Sequence, residues 1–495
     1  MSEEQVLPTG WAGTPLEFVL PIQYGKGLVE ASRDKTGEVP VYGSSGIVGV
    51  HNQALTSKAA LVIGRKGSIG SVYYSPVPCW PIDTVYFVEE TPNTNLKFFL
   101  HLLTFLRLGQ LDKSTAVPGL SRDDYNAVLI KVPPFAEQQR IVAAIEQQFT
   151  RLDAGVAALK SAQTRLKRYR AAVLKAAVEG KLTEAWRAEH PDTEPASNLL
   201  QRILAERHAR WEADLRAKGK DPAKVRYEEP AGPDTTDLPA LPEGWGWARF
   251  EQVSERVTVG HVGSMKDEYI EDGIPFLRGQ NVRPNRFDPE GLKFVSRAFH
   301  QQLSKSALEP GDLLVVRSGS VGTACVMPDT YPEANCSDLV IVKRPIHVNP
   351  QYAAYYMNST AQNRVRTQQV GIALIHFNTQ SMAAMPLPLP PLAEQEQIVD
   401  EVERRLSVVT ELEAIVETNL KRAERLRQSI LREAFAGRLV PQDPNDEPAS
   451  ALLERIRQER VGNGRATKQE KERVPVLIPD RVETVEAEQG SLWDD

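Results

Sequence analysis

Three cysteines in 495 residues are too few for a disulfide framework, and Cys79, Cys325 and Cys336 form no CxxC pair. A reduced, cytoplasmic setting is expected. The eight histidines show no HxxxH or HExxH spacing, so no metal site is expected. No apolar run approaches the ~18 residues of a membrane-spanning helix. Met1-Ser2-Glu3-Glu4 lacks the basic-then-apolar pattern of a signal peptide, and no membrane role is expected. GxxxxGK[ST] is missing, Gly25-Lys26-Gly27 is too short to replace it, and no GxGxxG links a strand to a helix. No Ser-His-Asp set can be assembled, and Asp329, Glu333 and Asp338 read as solvated loop charges. None of these chemistries is legible in the chain, and that absence is informative.

What is present is a repeat. Pro133-Pro134-Phe135-Ala136-Glu137-Gln138 returns as Pro390-Pro391-Leu392-Ala393-Glu394-Gln395, 257 residues later. At that offset Gly180-Lys181-Leu182 meets Gly437-Arg438-Leu439; after a four-residue deletion Glu194-Pro195-Ala196-Ser197 meets Glu447-Pro448-Ala449-Ser450, and Glu206-Arg207 meets Glu459-Arg460. Long-period similarity of this kind marks an internal duplication. After each Pro-Pro pair a seven-residue step picks out apolar residues. In the first copy they are Ile145, Leu152, Leu159, Leu166 and Val173, helped by Ile141 and Ala162. In the second they are Val402, Val409, Val416, Ala423 and Ile430, with Ile398, Leu412 and Leu426 as partners. Gln148, Gly155, Arg405 and Asn419 interrupt the seams. This is coiled-coil patterning, and roughly 40 residues would make a helix about 60 Å long. Gly180 and Gly437 suit helix ends. With both copies in one chain, the two helices are expected to pack on each other, antiparallel.

The remaining chain has an ordinary globular composition, 41% hydrophobic and 25% charged with a net charge of −6. Bulk charge therefore announces no nucleic-acid partner, although local placement of basic residues can override it. Residues 1–132 form one globular unit of short strands and a helix over 96–108. Residues 133–218 carry the first repeat helix and a trailing helical segment, packed down by Trp186 and Trp211. Residues 219–240 read as an extended, mobile linker, and 241–389 as a second globular unit. Residues 390–460 repeat the helix and trailing segment, and 461–495 form a poorly ordered tail in which the apolar run 474–478 docks locally. The globular units begin alike, Leu7-Pro8-Thr9-Gly10-Trp11 and Leu241-Pro242-Glu243-Gly244-Trp245. The fold class is α+β (mixed α/β) with an internal pseudo-two-fold repeat.

Turn chemistry dominates the first unit, at Gly25-Lys26-Gly27, Tyr42-Gly43-Ser44-Ser45-Gly46 and Gly64-Arg65-Lys66-Gly67-Ser68-Ile69-Gly70. The last of these matches Arg317-Ser318-Gly319-Ser320-Val321-Gly322. An Arg-x-Gly-Ser-x-Gly loop can contact phosphates or base edges, or can be a tight turn whose serine bonds its own backbone. Both readings stand on the residues alone.

Taken together, the order of variable domain, Pro-Pro-x-Ala-Glu-Gln helix, second variable domain and repeated helix resembles the specificity subunit of type I restriction-modification systems. The likeness runs from Leu7 to about Arg460. Gly311-Asp312-Leu313-Leu314-Val315-Val316-Arg317-Ser318-Gly319-Ser320-Val321-Gly322 is similar to that family's target-recognition domains; the first domain lacks the Gly-Asp lead-in. The resemblance implies two target-recognition domains on double-stranded DNA, each reading half of a split target, with the helices as spacer. It also implies two copies of a methyltransferase subunit and an ATP-dependent restriction (translocase) subunit as partners, which would hold S-adenosylmethionine, ATP and Mg; this chain would then be no enzyme by itself and carry no cofactor, consistent with its missing motifs. Base readout needs Arg, Lys, Asn or Gln on groove-facing loops. The candidates are Arg65, Lys66, Ser68, Arg278, Gln280, Asn281, Arg317 and Ser320, with Lys113, Arg122, Arg283 and Arg364 for phosphates. Two rival readings are a coiled-coil scaffold with two protein-binding domains and a diverged stand-alone DNA methyltransferase. Against the latter, Val132-Pro133-Pro134-Phe135 lacks the leading Asn or Asp of the amino-methyltransferase catalytic motif.

Overall fold

A computed structural model describes residues 7–111, 119–367 and 377–462. Lys113, the run 474–478 and the tail from residue 463 lie outside the described residues. The chain divides into two compact units, Met1–Leu159 with Thr418–Asp495, and Lys160–Glu417. The division crosses the repeats. Each long helix, Phe135–Val178 and Leu392–Phe435, starts in one unit and ends in the other.

The first globular domain is built on an antiparallel sheet in the order Gln23–Tyr24, Val85–Glu89, Ala60–Gly64, Val72–Ser75. Its central strands are continuous apolar runs because both faces are covered; Ala60, Leu61, Val62 and Ile63 are fully buried. Beside it Val39–Gly43 pairs antiparallel with Gly46–His51 and parallel with Trp80–Pro81. A ribbon of Ala12–Pro15 with Leu129–Val132 brings the domain's ends together. The second domain repeats each feature: a sheet in the order Ser254–Val259, Leu339–Pro345, Leu313–Val316, Ala324–Val326, a parallel pair Ile274–Leu277 with Asn335–Cys336, and a ribbon of Gly246–Arg249 with Pro386–Leu389. The expected helix over 96–108 is an α-helix at Leu96–Leu106 followed by a 3-10 turn at Leu108–Leu111, and Asn95 caps it through Phe98 N. The three cysteines are unpaired and buried.

Four repeated motifs meet at one junction in each unit. In the first unit, Trp11 Nε1 donates to both oxygens of Glu137 (3.1 Å), Gln138 Nε2 donates to Pro133 O, and Ala449 N donates to Gly10 O (2.8 Å). In the second, Trp245 Nε1 donates to Glu394 Oε2 (2.8 Å), Gln395 Nε2 to Pro390 O, and Ala196 N to Gly244 O (2.8 Å). Both long helices end in a left-handed glycine, with the following N–H reaching back five residues (Lys181 to Ala176 O, Arg438 to Glu433 O). A Cβ on Gly180 would lie 2.6 Å from Pro242, and one on Gly437 2.6 Å from Pro8. The Leu-Pro-x-Gly-Trp, Pro-Pro-x-Ala-Glu-Gln, Gly-Lys/Arg-Leu and Glu-Pro-Ala-Ser motifs recur because they form one joint, built twice. The Glu-Arg pair of each trailing helix adds a latch. Arg207 and Arg460 donate to the carbonyls of Ser254 and Glu17, while Glu206 and Glu459 bond His347 and Asn93.

Within each unit the start of one long helix packs beside the end of the other, so the pair is antiparallel. Ile141 and Ile145 share a core with Ile430, Leu431, Ala434 and Phe435; Val173, Leu174 and Ala177 share one with Ile398, Val399 and Val402. The seam differs from its expected form in one respect. Val402, Val409, Val416 and Ile430 are buried, but Leu412 and Leu426 are 43% and 49% exposed, and Leu152, Leu159 and Leu166 are half-buried. Two helices without a third layer can cover only a narrow stripe. Gly155 is exposed with open space around it. Trp186, half-buried, stacks on His190 one turn away, and Trp211 holds Tyr227 of the linker (5.0 Å), so part of 219–240 is anchored.

Candidate nucleic-acid interface

The three glycine-rich turns of the first domain come together at one end of its sheet. Ser71 Oγ donates to Ser44 O (2.6 Å), a Cβ on Gly67 would lie 3.0 Å from Ser44 Oγ, and Lys26 N donates to Pro81 O in the stretch that also carries Asp83. The second domain assembles the equivalent turns at residues 260–263, 278–281 and 316–322. His261 N donates to Cys336 O, Ser337 N to Leu277 O and Asp338 N to His261 O.

The Arg-x-Gly-Ser-x-Gly loops are closed by the same backbone bonds. Gly70 N donates to Gly64 O and Gly322 N to Val316 O, both at 2.9 Å; Ile69 N donates to Gly67 O and Val321 N to Gly319 O, both at 2.9 Å. Gly67 and Gly319 have φ of 77° and 80°, which excludes most side chains. The backbone is a tight turn, and Lys66, Ser68 and Ser320 are carried exposed on it.

The other candidates differ in what they present. Arg65 is half-buried, with its guanidinium 5.3 Å from the Tyr24 ring and 5.9 Å from that of Tyr86. Burial pushes the Tyr86 hydroxyl up to about 12. Arg278 donates to Gly291 O (2.6 Å) and lies 6.0 Å from the Tyr269 ring, leaving Gln280 exposed beside it. Asn281 is fully buried; its Nδ2 donates to Asp288 O and Glu290 O and its Oδ1 accepts from Arg278 N. It holds the loop in shape and has no edge to offer a base, a role its residue type alone did not reveal. Arg317 Nη1 is 3.4 Å from Asp338 Oδ1, so Asp338, a solvated loop charge, has an arginine beside it. Glu333 likewise pairs with Arg297. Of the phosphate candidates, Arg122 donates to Ile22 O and lies beside Tyr24, Arg283 is paired with Asp288 (3.0 Å), and Arg364 sits against Tyr356 on the helix behind loop 316–322.

Tyr24, Lys26, Ser44 and His261 also belong to these clusters and were not anticipated. The glycines flanking Tyr24 and Lys26 were the available signal, but pairing between distant strands is what brings them beside Arg65. A cleft of about 740 Å³ at the foot of the first long helix, lined by Lys58, Tyr74, Glu90, Asn95, Lys97 and Glu146 among others, contains none of the candidates. Among the described residues no group of His, Cys, Asp and Glu could hold a metal ion, and no helix is long and apolar enough to cross a membrane.

Two domains of one topology, each with the same set of turns and the same joint to a long helix, define a protein built as an internal duplication. The family profile described as "Type I restriction modification DNA specificity domain" matches residues 8–158 and 256–422. The chain belongs to that family. It is 22% identical over 481 residues to the type I restriction enzyme EcoDI specificity subunit of Escherichia coli, covering 92% of this chain and 97% of that one. To the EcoBI specificity subunit of the same organism it is 24% identical over 420 residues, covering 82% and 80%. Its fold is similar to that of a solved chain from a study of assembly and conformational transition of the type I R-M system. The TM-score is 0.59 at 18% identity, over 88% of this chain and 99% of that one.

Proposed function

We propose that this chain supplies DNA specificity to a type I restriction-modification complex in the cytoplasm. Each recognition domain reads one half of a split target, and the long helices set the gap between the halves. The observation that carries this is the exact repetition of the loop hydrogen bonds in two domains whose exposed side chains differ. One scaffold presents two reading surfaces. Lys66, Ser68, Gln280 and Ser320 extend from the turns toward base edges, Arg65, Arg278 and Arg317 lie at their bases, and Asn281 keeps the 278–281 turn in shape.

The duplicated joint offers two equivalent surfaces, suited to two copies of a methyltransferase subunit. Those partners hold S-adenosylmethionine and methylate adenine; a further ATP-dependent, Mg-requiring subunit translocates and cuts. This chain catalyses nothing itself. The test is adenine-methylation mapping of genomic DNA from cells with and without the gene. A bipartite motif that vanishes on deletion is expected; unchanged methylation, with the methyltransferase present and active, would refute the proposal. Exchanging residues 7–132 for another member's first domain should change one half of the motif only.

A further inference from the structure

The loop arginines of the two domains sit in opposite electrostatic surroundings. In the first domain the guanidiniums of Arg65 and Arg122 converge on one ring, 5.3 and 5.7 Å from the centroid of Tyr24, which is itself 50% exposed. Each is held by a backbone carbonyl: Arg65 Nη2 donates to Asp83 O and Arg122 Nη2 to Ile22 O, both at 3.1 Å. The Nε of Arg65 is buried without an acceptor. Among the described residues neither guanidinium forms an ion pair, and Asp83 lends Arg65 its carbonyl.

Among the described residues the second domain lacks this arrangement. Val259 pairs with Val340 where Tyr24 pairs with Tyr86, so the ring is gone. Ser121 and Asn378 cap equivalent helices, which places Thr379 where the first domain has Arg122. The remaining counterpart, Arg317, faces the Asp338 carboxylate at 3.4 Å.

We infer that Tyr24, Arg65 and Arg122 form a phosphate clamp in the first recognition domain, which the second domain lacks because Asp338 neutralises its single counterpart arginine. The inference rests on the reading that loop 64–70 faces DNA. Two guanidiniums held near one ring repel each other, and an anion between them relieves that repulsion. Their forked donors match phosphate oxygens, and they cannot shed the charge by deprotonation. The ring gives both a flat surface to lie on and limits their wandering. A base-reading arginine must instead extend freely into the groove to reach two acceptors on guanine. Arg65, pinned to a ring and a carbonyl, acts on the backbone, and the exposed Lys66 and Ser68 are left to read bases.

The test uses the whole complex, this chain with its methyltransferase partner, binding a duplex that carries the mapped target across a salt series. Combining Arg65→Ala with Arg122→Ala should flatten the slope of log K against log salt by about 1 to 2, at roughly 0.9 per phosphate contact. Target and non-target duplexes should weaken by the same factor, and the methylated motif should stay unchanged. An unchanged slope with a relaxed first half-site would mean base readout, which overturns the clamp and leaves the proposed function standing. No change in affinity, slope or motif would take loop 64–70 away from the DNA and overturn both. Asp338→Asn gives a second reading that does not disturb packing, since its side chain is 48% exposed and its φ of 53° suits Asn. Freed Arg317 should steepen the slope by up to about 1, and a slope that does not steepen overturns the inference.

Discussion

Asp312 and Lys343 explain why the second domain carries a Gly-Asp lead-in that the first does without. Lys343 Nζ donates to Asp312 Oδ2 (2.5 Å), and the N–H groups of Glu309 and Arg344 complete the carboxylate. Burial pushes the Asp312 carboxyl up on balance, with these bonds pulling the other way. The first domain has Ala60 and Glu89 at the matching places, so no buried charge needs a partner there. Asp312→Ala strands Lys343 and should cost about 3–5 kcal/mol in urea unfolding. Adding Lys343→Met should recover most of that loss, because an apolar pair replaces an ionic one at little net cost. The joint glutamates are also unequal. Glu394 accepts from Trp245, Thr183 and Arg187, whereas Glu137 accepts from Trp11 alone, and burial pushes the Glu137 carboxyl up. Glu394→Gln leaves Arg187 unpaired and should cost on the order of 3 kcal/mol. Glu137→Gln keeps an acceptor for Trp11 and should be close to neutral; equal losses for the two would count against this account.

At the scale of the element, the long helices are held firmly at their ends and lightly in between. Their middles depend on a half-buried seam and on ion pairs such as Arg170 with Glu413 (2.9 Å) and Arg427 with Asp153. Glu401 is bonded by Arg404 and Arg405, and the Arg404 bond chiefly holds its carboxyl down at about 2, against its usual 4.5. Because the folded value is depressed, this contribution is complete above about pH 4.5 and is lost as pH falls toward 2. Glu401→Gln should therefore lower stability at neutral pH and flatten the acid limb of a stability profile, with no change between variant and parent near pH 2. A parallel downward displacement at all pH values would argue for a packing defect instead.

For the whole molecule, the decisive feature is that each helix passes from one compact unit into the other while each joint draws on both repeats. Seven residues add about 10.5 Å of helix, close to three base-pair steps of about 3.4 Å. A heptad inserted between Ala154 and Ala171, matched by one at the facing level of the second helix, should lengthen the gap in the methylated motif by about three base pairs with both halves intact. The same heptad in one helix alone shifts the Arg170–Glu413 level against the Arg427–Asp153 level and should lower stability. A lengthened pair of helices with an unaltered gap would show that they do not set the spacing.

The sequence by itself determined the duplication, the two long helices with their glycine ends, the presence of short strands in each globular unit, and the family. These are written locally, in heptad spacing, left-handed glycines, uninterrupted apolar runs and motifs repeated in order. The tertiary structure alone decided what the motifs do to one another. Trp11 finds Glu137 across 126 residues and Ala449 finds Gly10 across more than 400, partnerships that no local pattern encodes. It also decided the state of the loop side chains. Asn281 and Gln280 are neighbours with similar chemistry, yet one is sealed inside a turn and the other is open to solvent. Whether an arginine meets a tyrosine ring, as Arg65 does, or a carboxylate, as Arg317 does, depends on which strand lies alongside. Charge and exposure at a recognition surface are properties of packing, and packing joins residues that the chain keeps far apart.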